Sequence, residues 1–231
     1  MNLRCFTTGL FQVNAWLLED PASGACALID TGEGEEVARA LAALRPRPDL
    51  HAILLTHGHF DHAGGLVPVQ QAFPVARTYL PALERPLFDL LPRQGAMFGM
   101  PQLSRPCGRI DVEVRDGDAV DVGALRLRFI STPGHTPGQG CWYTDTDIFV
   151  GDTLFAGSVG RTDFPLSDPQ LAQASLLKLM ALPGELVVHP GHGPDTTLGD
   201  ELADNPFLAH VRRARGLPEP RRVAPFGGRW G

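Results

Sequence analysis

The stretch LLTHGHFDHAGG, residues 54–65, puts His57, His59, Asp61 and His62 into six consecutive positions, directly behind an apolar run. Ile53, Leu54 and Leu55 read as a buried strand, so the polar residues begin where a sheet ends. At strand ends in α/β sheets the backbone is held rigidly while side chains project into a crevice. His57 and His59 are two apart, so an extended segment points both the same way. Asp61 and His62 come just before a helix expected to start near Ala63, where a bend turns both back toward a neighbouring point. Neutral imidazole and carboxylate are ligands for zinc, iron and manganese. Two pairs of ligand-type residues at this spacing suggest two metal ions side by side.

Outward from this loop, short apolar or alternating runs predict strands at AWLLE (15–19), ACALID (25–30), AILLT (52–56), LRLRFIS (125–131), CWYTD (141–145), DIFVGD (147–152) and ELVVHP (185–190). LRLRFIS alternates most cleanly, with Leu125, Leu127 and Phe129 on one face and Arg126 and Arg128 on the other. In EEVARALAALR (35–45), Val37, Ala40, Leu41 and Leu44 make one helical face. A second helix is predicted from an Asp168 N-cap and Pro169 through LAQASLLKLMAL to Gly184, and a third from Leu198 to about Ala209. Two batches of strands, each carrying helices, imply a layered α/β architecture. ALIDTG (27–32) and IFVGDT (148–153) both end an apolar strand in Asp-Thr, a hint of pseudo-symmetry.

Three further loops repeat the pattern of one ligand-type residue just after a strand. TPGHTPG carries His135, FVGDTLF carries Asp152, and HPGHGPDT carries His192. Glycine and proline fix tight turns at the two histidines.

Together these stretches resemble the metallo-β-lactamase superfamily, whose signature is T-H-x-H-x-D-H followed by a distant His, Asp and His. The resemblance runs from VNAWLLED to the His192 loop and implies one αββα sandwich domain over residues 1–231, two mixed sheets flanked by helices. It implies that His57, His59 and His135 hold a first metal, that Asp61, His62 and His192 hold a second, and that Asp152 bridges them. With no thiolate in the set, two zinc ions are expected, with iron or manganese as alternatives. Metallo-β-lactamases proper usually carry Cys or Ser where this chain has Asp152, which disfavours antibiotic hydrolysis. GDTLFAGSVGRTDFP and PGHGPDTTLGDE look closest to glyoxalase II, the hydroxyacylglutathione hydrolases, in their short bacterial form. The chain departs from that family where its glutathione site would lie: few residues follow His192, and Asp163 stands in place of a tyrosine. Arg161 aligns with a glutathione-contacting lysine.

The expected activity is thioester hydrolysis of a small molecule. A metal-bridging hydroxide would act as nucleophile, positioned by Asp61 and Asp152. A thiolate leaves without a strong general acid because thiols have pKa about 8.5. Asp30 and His189 are candidates to support the ligands from behind. Arg161, Met97 and Phe98 are candidates to touch substrate, the last two within the Met/Phe-rich segment 80–103. An iron-dependent persulfide dioxygenase, matched by Gly160 to Phe164, is the alternative, and lactone or phosphodiester hydrolysis are further variants.

The bulk composition agrees with an enzyme of small molecules. The chain has 231 residues, 26 acidic against 20 basic, and a net charge of −6, which lacks the basic footprint of a nucleic-acid binder. Cys5, Cys26, Cys107 and Cys141 form no C-x-x-C pair, and no window is apolar enough to span a membrane. A cytoplasmic location is expected, with monomer and homodimer both open. The Arg-, Pro- and Gly-rich end, residues 212–231, reads as a solvated tail.

Overall fold

The structure, a computed structural model, describes residues 1–218. Two six-stranded sheets face each other. The first runs in chain order: β1 (Asn2–Thr8), β2 (Val13–Glu19), β3 (Ala25–Ile29), β4 (Asp49–Leu54), β5 (Arg77–Pro81) and β6 (Val112–Val114). Its first three strands are antiparallel and the rest parallel. The second contains β7 (Ala119–Val122), β8 (Leu125–Ser131), β9 (Gly140–Tyr143) and β10 (Asp147–Gly151), while β11 (Leu154–Phe155) and β12 (Ser158–Val159) form a separate small hairpin. β13 (Val187–Pro190) adds in parallel to β10, and β14 (Thr196–Thr197) completes the sheet.

Alternation along the strands builds the layers. On β2 to β4, Leu17, Cys26, Leu28 and Ile53 point outward and are covered by α1 (Glu36–Ala43), α3 (Leu66–Ala72) and the segment around Phe88 and Leu91. Trp16, Leu18, Ala27, Ile29 and Leu54 point the other way, against Leu127, Phe129, Trp142 and Phe149 of the second sheet. Cys141, Ile148, Val150 and Val188 then face α6 (Pro169–Met180), α7 (Leu198–Asp204) and α8 (Pro206–Ala214). The three apolar layers make the αββα sandwich that the family resemblance implies. Arg126 and Arg128 lie on the outer face of β8, paired with Asp121 and Asp145.

Two helix expectations change. The turn after His59 is already helical, α2 (Phe60–Ala63), so Asp61 and His62 sit on its first turn instead of preceding it. The helix expected over 198–209 is two helices broken at Asn205, whose side chain accepts from Phe207 N and Leu208 N ahead of Pro206. α6 starts as expected, with Asp168 accepting from Gln170 N and Leu171 N. Two short helices, α4 (Arg85–Phe88) and α5 (Leu91–Met97), form the insertion after β5. Of the expected tail, Arg212 to Ala214 belong to α8, and residues 219–231 lie outside the described residues. Among the described residues no helix is long and apolar enough to cross a membrane.

Candidate metal centre

Five strand ends converge on one edge of the sandwich. β4 delivers Thr56, His57 and His59, with Asp61 and His62 following on α2. The loop between β8 and β9 delivers His135, the end of β10 delivers Asp152, the end of β13 delivers His192, and the end of β3 delivers Asp30. Close backbone approach makes this possible. Gly151 has φ +49, and a Cβ there would stand 2.6 Å from Thr56 Oγ1; a Cβ on Gly191 would stand 2.5 Å from His62 Cε1.

The seven side chains fall into linked groups. His57, His59 and His135 form one triad, Asp61, His62 and His192 another, and Asp152 joins His57 and His62; within each group the ligand atoms lie within 4.8 Å. His59 Nδ1 is 3.2 Å from His57 Nε2 and 3.0 Å from His135 Nε2. Four ligands about 2.05 Å from a tetrahedral cation would be spaced about 3.3 Å apart, close to these separations. Asp152 lies between the two triads. Its Oδ2 is 3.5 Å from His135 Nε2, while its Oδ1 is 3.2 Å from His62 Nε2 and 3.6 Å from His192 Nε2.

The ring tautomers follow from what stands behind them. His62 Nδ1–H donates to Asp30 Oδ2 at 2.8 Å, and His57 Nδ1–H donates to Thr56 Oγ1 at 3.0 Å. Thr56 in turn donates to Asp30 Oδ2 at 2.8 Å, and its backbone N–H donates to Asp30 Oδ1 at 2.8 Å. His135 Nδ1–H donates to Arg161 O at 2.8 Å, and His192 Nδ1–H to Phe11 O at 3.0 Å. Each of these four rings therefore turns its Nε2 inward, and His59 turns its Nδ1 inward. Burial lowers the pKa of His57 well below its ordinary value and that of His59 to about 3, so both rings are neutral at pH 7. Burial pushes the Asp152 carboxyl up and the His62 ring down, but the pair outweighs it: beside Asp152 and Asp30 the His62 pKa rises well above its ordinary value, and beside His62 the Asp152 carboxyl falls well below its own.

This donor set fits divalent cations. Imidazole nitrogens and carboxylate oxygens of seven side chains converge here, the ligand types that zinc, iron and manganese take. Asp152 Oδ1 is buried without a hydrogen-bond partner. Asp30, Asp61 and Asp152 bring three carboxylates to the centre, and no Lys or Arg ion pair with any of them occurs among the described residues.

Asp30 lies behind His57 and His62, in the left-handed region at φ +56, which aims its carboxylate at both Thr56 and His62. It also accounts for the Asp-Thr echo: Asp30 and Asp152 end strands of opposite sheets and both reach His62. His189 does not support the ligands. Its ring is held between Asp147 at 2.8 Å and Asp195 at 3.2 Å and stacks on Phe149 in the sheet interior. Phe98 and Met100 line a mouth of about 180 Å³ over the centre, together with Phe11, Phe60, Phe164 and Arg161. Met97 is 61% exposed and does not line it, because the helix ends there and turns its side chain to solvent; Phe88 is buried beneath the first sheet. Arg161 reaches the rim, where it pairs with Asp163.

Two residues that the local sequence does not reveal hold the ligand loop. Glu84 is fully buried; its Oε2 accepts from Gly58 N at 2.7 Å and its Oε1 from Gly138 N at 2.5 Å. It thus ties the His57–His59 loop to the His135 loop. Gln94 accepts from Phe60 N at 2.9 Å and donates to Gly58 O at 2.8 Å. These partners are 26 to 54 positions apart, so no short motif carries them.

Residues 8–192 match the family model of the metallo-β-lactamase superfamily. The chain is 33% identical to the hydroxyacylglutathione hydrolase GloC of Haemophilus influenzae, covering 90% of this chain and 98% of that one. Among solved structures it is similar to the BLEG-1 B3 metallo-β-lactamase (TM-score 0.80, 33% identity, 90% and 99% of the two chains). It is also similar to TTHA1623 in a di-iron-bound form (TM-score 0.78, 38% identity, 89% and 100% covered). With the two facing sheets, the strand-end histidines and the match over most of its length, the chain belongs to the metallo-β-lactamase superfamily.

Proposed function

We propose that the chain is a dinuclear metal-dependent thioester hydrolase of the glyoxalase II type. His57, His59 and His135 serve one divalent cation, Asp61, His62 and His192 serve a second, and Asp152 serves both. The observation that carries this reading is Asp152, whose two oxygens face different triads. An aspartate at this place, with the GDTLFAGS stretch around it and the likeness to a hydroxyacylglutathione hydrolase, favours thioester over lactam chemistry.

A divalent pair bound here supplies Lewis-acid polarisation of an acyl carbonyl and lowers the pKa of a water. The chain's own residues prepare the rest. Asp30 and Thr56 hold His57 and His62 with their Nε2 atoms inward, and the carbonyls of Arg161 and Phe11 do the same for His135 and His192. In the overall reaction a water oxygen bonds to the acyl carbon and the C–S bond breaks, its electron pair leaving with sulfur. The mouth residues outside the ligand set are phenylalanines, Met100 and Arg161, none of which gives up a proton near neutral pH. A thiolate, with conjugate pKa about 8.5, departs without one.

The test is metal analysis of the purified protein alongside thioester, lactone, lactam and persulfide substrates. Thioester turnover that is lost in chelator and restored by zinc, manganese or iron is expected. Oxygen uptake with glutathione persulfide by the iron-loaded protein would instead support the dioxygenase reading, which the Gly160 to Phe164 stretch favours.

A further inference from the structure

The mouth over the centre contains His59 and Asp61, one residue from each triad, so it is the face through which a substrate reaches both. A larger cleft of about 380 Å³ between α6 and α8 touches only His135 and Asp152 of the ligand set. The mouth is walled by aromatic rings from separate segments: Phe11 from the β1–β2 loop, Phe60 from α2, Phe98 after α5 and Phe164 after β12. Ring centroids run in series, Phe11 to Phe60 at 5.5 Å, Phe60 to Phe98 at 5.9 Å and Phe98 to Phe164 at 5.6 Å. Phe98 and Phe164 also meet the His59 ring at 6.4 and 5.9 Å.

Among the described residues, the one Lys or Arg lining this mouth, Arg161, is already paired. Arg161 donates to both oxygens of Asp163 at 2.9 and 2.8 Å, and its guanidinium lies 4.4 Å from the centre of the Phe164 ring. Among the described residues, the mouth therefore offers no unpaired positive charge to a carrier such as glutathione, with its two carboxylates.

Resting on the thioesterase reading of the same centre, we propose that this aromatic collar selects thioesters with a compact apolar acyl arm, an aryl or short branched alkyl group. The collar reads the acyl arm, not the thiol carrier. The mouth has about 180 Å³, with His59, Asp61, His135 and Asp152 as its floor and the phenylalanines and Met100 as its wall, so the apolar part has room for one ring and no more.

The experiment uses the metal-loaded full chain and non-hydrolysable thioethers, with calorimetric binding as readout. S-benzyl-N-acetylcysteamine should bind about tenfold or more tighter than its S-methyl counterpart, the gain expected from burying one ring. S-benzylglutathione should bind no tighter than S-benzyl-N-acetylcysteamine. Phe98→Ala and Phe164→Ala, both at surface positions, should each shrink the benzyl-to-methyl ratio. Affinity that follows the tripeptide whatever the S-substituent, or a ratio unmoved by both substitutions, overturns the proposal. Kinetics separate the two claims. Hydrolysis that favours S-lactoylglutathione over phenylacetyl thioesters sinks the collar and leaves the thioesterase reading standing. Tight benzyl binding with no thioester hydrolysed at all sinks the thioesterase reading and leaves the collar.

Discussion

Asp30 holds two of the candidate ligands at once, through His62 Nδ1–H and through Thr56 to His57. Asp30→Asn keeps the size but replaces one acceptor oxygen with a donor, so it should weaken metal binding about 10- to 100-fold. Chelator competition on the purified variant measures this. Glu84→Gln leaves one acceptor oxygen for the two N–H groups of Gly58 and Gly138, so one buried donor loses its partner. A stability loss of about 1–3 kcal/mol is expected from denaturant unfolding, together with weaker metal retention. At this scale the clustering of these seven side chains is legible in the sequence, because each is a His or Asp behind an apolar run, mostly among Gly and Pro. Thr56, Glu84 and Gln94 were not, since their partners are set by packing across the fold. His189 stands near His192 in the sequence, but its ring turns away from the centre to Asp147 of β10 and Asp195 of the loop that follows its own strand.

Strands that end at the centre are short, apolar and bounded by Gly or Pro, so β3, β4, β8, β10 and β13 could be read with boundaries within a few residues. Edge strand β1 alternates but is largely exposed, and β5 to β7 mix charged and apolar residues, so no apolar run announces them. The break between α7 and α8 does carry a signal, Asn205 before Pro206, which marks a new N-cap within what looks like one periodic segment. Asp168 is the clearest cap, accepting from two N–H groups at 2.8 and 3.0 Å. Asp168→Ala should lower stability by about 1 kcal/mol, read as a shift in urea midpoint at unchanged slope. The 80–103 insertion shows how composition misleads about role. Its Phe98 and Met100 do line the mouth, but Glu84, Gln94 and Phe88 serve the framework beneath it.

Across the whole molecule, two batches of strands with helices between them make a layered α/β architecture readable and the motif resemblance makes it an αββα sandwich, while the pairing order of the second sheet depends on contacts that the chain makes only when folded. Global stability should carry a pH signature from His189. Burial lowers its pKa, but hydrogen bonds to Asp147 and Asp195 outweigh this and raise it above the ordinary value. Its contribution is therefore fully present below about pH 6.5 and is lost as pH rises through the higher folded value. Urea midpoints measured from pH 6 to 9 should fall over that range, and His189→Gln should flatten the fall. The most direct test of the account combines metal content and thioester turnover on one preparation, titrated with chelator and then with zinc, manganese or iron. The account predicts about two metal ions per chain, with turnover that follows loading and vanishes in Asp152→Ala. Full loading with no thioester cleaved, or activity that needs only a single iron and consumes oxygen, would contradict it.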